Sequence, residues 1–323
     1  MDTIQQIPVG AEEDGCRTDR IVRKRLSLMP LSSIYLLFRK GKVLVNGKKA
    51  KQDYRLKTGD VLEVGVDAAE ITRPPASSGK APASLVKTSF FRKNFTVIYE
   101  DAHLMACNKP TGLVVHPGSG HTRGDSLIEL AAAYLDDSGK AVRGEEIALV
   151  HRLDRDTSGV ILIAKNKRTL RLLHDQFKER SLTKEYRAVC HNRPPEYEGT
   201  VRLQLSRTDD RNNGMKMRVG MGGQQSVSRY RVDTYNGGIS QLTIFLETGK
   251  THQIRVHLAH IGAPIAGDVR YGDQAADKRV FGGRPPRLYL HAHRISFKHP
   301  HTRKNITIKA PVPEDFARLF SHR

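Results

Sequence analysis

Cysteine is scarce in this 323-residue chain. Cys16, Cys107 and Cys190 are odd in number and far apart. No CxxC pair exists, so neither a disulfide framework nor a cysteine zinc site is indicated, and a reducing, cytoplasmic setting is expected. Long apolar runs are also absent. None approaches the roughly 18–20 residues of a membrane span. The opening MDTIQQIPVGAEEDG carries acidic residues and no apolar core, so no signal peptide is expected. Acidic residues are in deficit, with 34 Asp+Glu against 54 Lys+Arg and a net charge of +20. Such a field attracts polyanions, and the clustering of the basic residues favours nucleic acid over a membrane surface. There is no internal repeat.

What is present is otherwise ordinary for a soluble globular protein, 38% hydrophobic and 27% charged. The length suggests two or three domains, enough to bury a sizeable core. Residues 16–65 form a basic unit with 13 Lys/Arg and 4 Asp/Glu. Ile21, Leu26 and Leu28 suggest a short helix. Ser32-Ser33 suits the cap of a second, whose buried face would carry Ile34, Leu37 and Phe38 before Gly41 ends it. Val43, Val45 and the turn Asn46-Gly47 signal a hairpin. Leu56, the turn Gly59-Asp60, and Val61, Leu62 and Val64 close the unit. Residues 67–92, with Pro74-Pro75 and Ser77-Ser78-Gly79, read as a flexible linker.

Beyond residue 93 the pattern is mixed. Strands are expected at 95–99, 104–107, 147–150, 160–164, 185–190 and 241–247. A helix over 125–135 opens on a capping box, Ser126 with Glu129. Another over 168–180 carries Leu170, Leu173 and Phe177 on one face. A third, capped by Thr251, carries Ile254, Leu258 and Ile261 and stops at Gly262. The polar, glycine-rich, basic stretches 207–226 and 273–287 read as surface loops.

The segment HRLDRDTSG at 151–159 lies between two apolar runs. That places Asp154 on a loop held by buried strands, as catalytic residues often are. Arg152 and Arg155 favour its charged form. A plain turn remains an equal reading on spacing alone. In LETGKTHQIRVH at 246–257, Gly249-Lys250-Thr251 resembles half a P-loop, but the leading glycine would fall at Ile244. A helix there would present Arg255 near its N-terminal end, where a carboxylate is also welcome. His252, His257 and His260 have no acidic or thiol companion in sequence, so packing or phosphate contact is expected rather than metal binding. The same holds for His291, His293, His299 and His301. NKPTGLVVHPGSG at 108–120 makes a tight turn after a strand, but Gly118, Gly120 and Gly124 do not spell a dinucleotide fingerprint. KEYRAV at 184–189 is a strand bearing Tyr186, which alone implies only packing.

Taken together and in order, NKPTGLVVHPG, HRLDRDTSG, KEYRAV, LETGKTHQIRVH and HIGAPIAGDVRYG (260–272) resemble the RluA-type pseudouridine synthases over most of residues 95–310. Residues 16–65 resemble the S4 RNA-binding domain through RKGKVLVNGK at 39–48 and LKTGDVLEV at 56–64. One departure is Arg17-Thr18-Asp19, where that domain usually has an aliphatic residue in the middle. The resemblance implies an α+β protein. A mixed, mostly antiparallel sheet core with flanking helices and loops would occupy 93–323, after a small α/β S4-like domain at 14–66 and the linker.

By motif position, Asp154 corresponds to the essential aspartate, Arg255 to its arginine partner, and Tyr186 to the tyrosine that stacks on the target base. Arg152 corresponds to the arginine that takes the place of the extruded base. His151, Lys109, His116, Thr157, Lys250, His252 and Ile254 fall in the same motifs and are expected to contact substrate. Arg17, Arg39, Lys40, Lys42, Asn46 and Lys48 are expected to carry RNA in the S4-like unit. The implied reaction is isomerisation of uridine to pseudouridine, most naturally in 23S rRNA or a large-subunit precursor. It proceeds by base flipping, without redox or hydrolysis, and so calls for no cofactor or metal. A tRNA substrate, or a non-catalytic RNA-binding or assembly role, are the alternatives. No membrane partner is expected, and a monomer is the default.

Overall fold

The computed structural model describes residues 2–26, 31–67, 95–116, 126–141, 145–210 and 214–321. The chain divides into two compact units, Met1–Ala83 and Ser84–Arg323. The expected linker lies outside the described residues past Asp67, as do Leu28 and the glycines Gly118, Gly120 and Gly124.

In the first unit, strands β1 (Asp2–Pro8), β2 (Val43–Val45), β3 (Lys48–Lys49) and β4 (Val61–Asp67) form a sheet in the order β1-β4-β2-β3. Helices α1 (Thr18–Arg25) and α2 (Leu31–Arg39) accompany it. Ile21, Val22, Ile34, Leu37, Val43, Leu62 and Val64 make its core. The Asn46-Gly47 hairpin turn forms with both residues at positive φ, 51° and 73°, the type I′ geometry that these residues tolerate. Thr18, at the departure noted above, is fully buried and donates its hydroxyl to the Tyr54 carbonyl at 3.0 Å. Two details differ from expectation. Strand β1 begins the unit at residue 2, paired in register with β4 (Ile7 opposite Leu62); its polar Gln5-Gln6 centre hid it. Ser32 and Ser33, expected at the start of this helix, lie within the span of α2.

The second unit is built on an eleven-stranded sheet. Its strands are β5 (Thr96–Glu100), β6 (Leu104–Lys109), β7 (Ala148–Leu149), β8 (Ser158–Ala164), β9 (Thr183–His191), β10 (Glu198–Asp210), β11 (Gly214–Val219), β12 (Gln224–Asn236), β13 (Ile239–Leu246), β14 (Leu290–Lys298) and β15 (Asn305–Lys309). The order is β11-β10-β12-β13-β9-β14-β8-β6-β5, with β15 on β14 and β7 on β8. Among the described residues, β14 with β8 is the parallel pair; the named strands otherwise pair antiparallel. The expected α+β, mostly antiparallel architecture is what the chain adopts. Its helices are α3 (Leu127–Asp137), α4 (Lys167–Glu179), α5 (Gln253–His260), α6 (Gln274–Phe281) and α7 (Glu314–Ser321). The capping box forms, with Glu129 accepting the Ser126 N–H at 3.2 Å.

The two expected surface loops are corrected. Of these, 207–210 extend β10, 214–219 form β11 and 224–226 start β12, with Arg207 opposite Met217 and Leu205 opposite Val219. The ladder is held by backbone pairing at the sheet's edge, which needs little apolar alternation, so composition misled. Within 273–287 lies α6. Asp273 caps it, accepting the Ala276 N–H at 2.9 Å, and Gly282 ends it at φ 72°. Those two capping residues were the available signal.

Candidate active site

The parallel junction positions everything else. Tyr186 on β9 sits opposite Ala292 on β14, and Ala292 sits opposite Gly159 on β8. Gly159 has φ 116°, and a Cβ there would lie 2.2 Å from the Ala292 carbonyl oxygen, so only glycine lets the strands close. The loop entering β8 therefore emerges beside Tyr186, and that loop carries Asp154.

The segment after β6 clamps this loop. Gly112 N–H donates to the Arg155 carbonyl at 2.9 Å, and the Thr111 hydroxyl to the Asp156 carbonyl at 2.8 Å. Lys109, expected to contact substrate, instead completes the clamp. It is fully buried, and its ammonium donates to the carbonyls of Pro110, Leu113 and Arg155 at 2.9, 2.7 and 2.7 Å. No donor remains for RNA. Burial pulls its pKa down to about 7, partly opposed by Asp156 and Asp154.

Asp154 is 23% exposed. Its Oδ2 accepts from Arg255 Nη1 at 3.3 Å. Arg255, on α5, is held more tightly from its other side: Nε and Nη2 donate to the two oxygens of Asp268, both at 2.7 Å. The buried Asp268 also accepts the Arg270 and Tyr271 N–H groups at 2.9 and 3.1 Å. Burial opposes both charges of this pair. Their mutual hydrogen bonds and attraction prevail, so Asp268 is shifted down and Arg255 up. The Tyr271 ring lies 5.1 Å from the Arg255 guanidinium carbon, a cation–π contact.

His252 faces the same carboxylate, Nε2 to Oδ2 at 3.7 Å. Its Nδ1 lies 2.8 Å from the Tyr271 hydroxyl, which accepts the Met217 N–H at 2.9 Å. With the hydroxyl proton given to Nδ1, the imidazole carries its own proton on Nε2, toward Asp154. This tautomer is assigned from the hydrogen-bond network. Burial lowers the His252 pKa, partly offset by Asp154. The histidine occupies the left-handed N-cap position of α5 at φ 54°, where Thr251 was expected. The turn is set by Gln253, whose Oε1 accepts from the Thr248 hydroxyl and the Lys250 N–H at 2.7 and 3.0 Å.

Arg152, Asp154, Thr157, Tyr186, Lys250, His252, Ile254 and Arg255 line one cleft. Tyr186 is 8% exposed; burial, then the Asp154 charge, push its pKa up and keep the phenol neutral. Arg152 is exposed, and Lys250 is partly so.

The remaining expected residues lie outside this cleft. Half-buried His151 accepts the Leu162 N–H at 3.1 Å and stacks on Phe177, and burial drives its pKa down to about 3. His116 is exposed and does not line the cleft. His299 does have an acidic partner, Asp101 Oδ2 at 2.8 Å, brought 198 positions through the chain by the fold. Asn46 is committed at both ends of its amide, donating to Asp60 and accepting the Val61 N–H, each at 2.8 Å. Arg17 pairs with Asp19 at 3.1 Å, while Arg39, Lys40 and Lys48 are exposed. Asp268 and Tyr271 had been assigned no role; they lie in HIGAPIAGDVRYG, whose presence was the only signal. No group of three or more His, Cys, Asp or Glu among the described residues is arranged to hold a metal.

A carboxylate anchored by a guanidinium, partly open, beside a neutral buried phenol and under a basic rim can take a polyanionic, flat, polar ligand. Residues 103–260, which contain all three groups, match a family model described as RNA pseudouridylate synthase. Among solved structures, human RNA pseudouridylate synthase domain containing 4 aligns with a TM-score of 0.57 at 25% identity, over 72% of this chain and 94% of that one. The ribosomal large subunit pseudouridine synthase C of Escherichia coli (strain K12) is 35% identical over 323 residues, covering 98% of this chain and 95% of the relative. Its counterpart from Yersinia pestis is 36% identical over 312 residues, 96% and 92% of the two chains. The chain belongs to the RluA-type family of pseudouridine synthases, and it is an isomerase acting on RNA.

Proposed function

We propose that the enzyme isomerises specific uridines of large-subunit rRNA, with Asp154 as catalytic carboxylate acting on a base flipped out of its helix. The observation that carries this reading is Asp154 itself: part-exposed in the cleft, 3.3 Å from Arg255 and lining the same surface as Tyr186. The similar curated proteins are named for the ribosomal large subunit, and the net charge of +20 suits a large polyanion.

A stacked uridine is out of reach, so flipping comes first and costs roughly a few kcal/mol. Arg152, exposed at the cleft rim, fills the vacated space and meets phosphate. Tyr186 offers its ring to the flipped base, a contact of about 1–3 kcal/mol. Asp154 then acts as nucleophile or stabilises developing positive charge. The C1′–N1 bond breaks, the uracil turns over, C1′–C5 forms, the C5 proton departs and N1 takes one up, so substrate and product are isomers. Because burial opposes ionisation of Tyr186, that hydroxyl serves as a proton relay rather than a standing phenolate base. The N-terminal S4-like unit anchors rRNA through phosphate contacts, which position without specifying. The three free cysteines suit a cytoplasmic enzyme.

Asp154→Asn is expected to abolish pseudouridine formation while RNA affinity persists. Full turnover by that variant would remove Asp154 from the chemistry. Site-resolved pseudouridine sequencing of total RNA with and without the gene identifies the substrate: losses confined to tRNA would reassign it.

A further inference from the structure

Arg255 has a second side. Behind it, away from the Asp154 cleft, lies a basin walled by Arg155, Asp156, Val269, Arg284, Pro286 and Arg287. Its volume of about 250 Å³ is near the lower bound of roughly 300 Å³ for small-molecule sites, room for one nucleobase. Three features suit such a guest. Arg155 and Arg284 are exposed guanidiniums at its mouth. Arg155 has Asp156 as counterion at 3.2 Å, whereas Arg284 makes no ion pair with the described residues. Val269, 54% exposed, adds an apolar surface to the same wall. Asp268, the basin's other acid, is fully engaged by Arg255 and two backbone N–H groups.

We infer that this basin is a second nucleotide subsite, which receives an unpaired base neighbouring the target uridine in the same RNA strand. The base lies against Val269 and Pro286, the Arg284 guanidinium covers its face or edge, and Arg155 meets the phosphate linking it to the target. Because Arg255 and the loop 154–156 form part of both walls, one strand can fill both sites at once. Occupancy would then select the sequence or unpaired state beside the modified uridine. The inference rests on the Asp154 cleft being the site of isomerisation.

The test uses full-length enzyme and an rRNA fragment spanning a uridine identified by the sequencing above, intact or with one abasic nucleotide at each of the two positions on either side. Arg284→Ala should raise KM about tenfold on the intact fragment, the loss of one charge-assisted contact, with kcat within about twofold. Val269→Asp should act in the same direction. On the fragment that is abasic at the recognised position, wild type and variants should converge; at the other positions the penalty should persist. An unchanged KM for Arg284→Ala, or the same penalty on every abasic fragment, would overturn the subsite. Lack of wild-type turnover on the intact fragment would instead overturn the proposed function, and the subsite with it.

Discussion

Arg255 divides one guanidinium between two carboxylates unequally. Two short bonds at 2.7 Å fix it to Asp268, and one longer bond at 3.3 Å reaches Asp154. The planar fork suits this division, since a bidentate pair immobilises the group and leaves one edge free. Asp154 is thereby oriented yet stays partly open to a substrate. Lys109 does comparable work on the backbone. Three carbonyls from three loop positions converge on one buried ammonium, so Lys109→Met should leave all three without a donor. The expected loss is about 3 kcal/mol of stability together with a lower kcat, because the loop it holds carries Asp154. Urea unfolding and turnover of the same preparation measure both. A stability equal to the wild type's would mean that the clamp of Thr111 and Gly112 suffices.

Among the elements, the parallel contact of β14 with β8 is the structural hinge of the site. It brings Tyr186, Ala292 and Gly159 into one row across three strands, although they lie far apart in the chain. Gly159→Ala combines a positive φ with a collision against the Ala292 backbone. A destabilisation of about 3 kcal/mol is expected, read as a lowered midpoint in thermal unfolding; a variant with wild-type midpoint and activity would show that the strands can separate without harm. The helix α5 illustrates a different constraint. Its N-terminus is turned by His252 in a left-handed conformation, the same residue that presents Nε2 to Asp154, so the cap and the site are one feature.

At the scale of the molecule, two units with separate cores share the chain. If the basic N-terminal unit is an rRNA anchor, removing residues 1–90 should leave a folded catalytic unit. Binding to large RNA should then be weaker and less salt-dependent, the slope of log K against log salt falling by roughly 0.9 for each duplex phosphate that the shortened chain no longer neutralises. Filter binding across a salt series tests this, with circular dichroism of the truncated chain as the control for folding. An unchanged slope would rule out the anchor.

The division of labour between sequence and fold follows from distance along the chain. Local signals announced the hairpin at Asn46-Gly47, the capping box at Ser126 and the apolar strands around HRLDRDTSG, because propensity and turn chemistry act over a few residues. The ordered motifs also marked Asp154, Tyr186 and Arg255. Tertiary structure decided what those motifs do with their other residues. It buried Lys109 under three carbonyls, packed His151 against Phe177, gave His299 its aspartate, and made Asp268 and Tyr271 the supports of Arg255. Each of these outcomes depends on groups separated in sequence meeting at hydrogen-bond distance, and periodicity carries no information about such meetings.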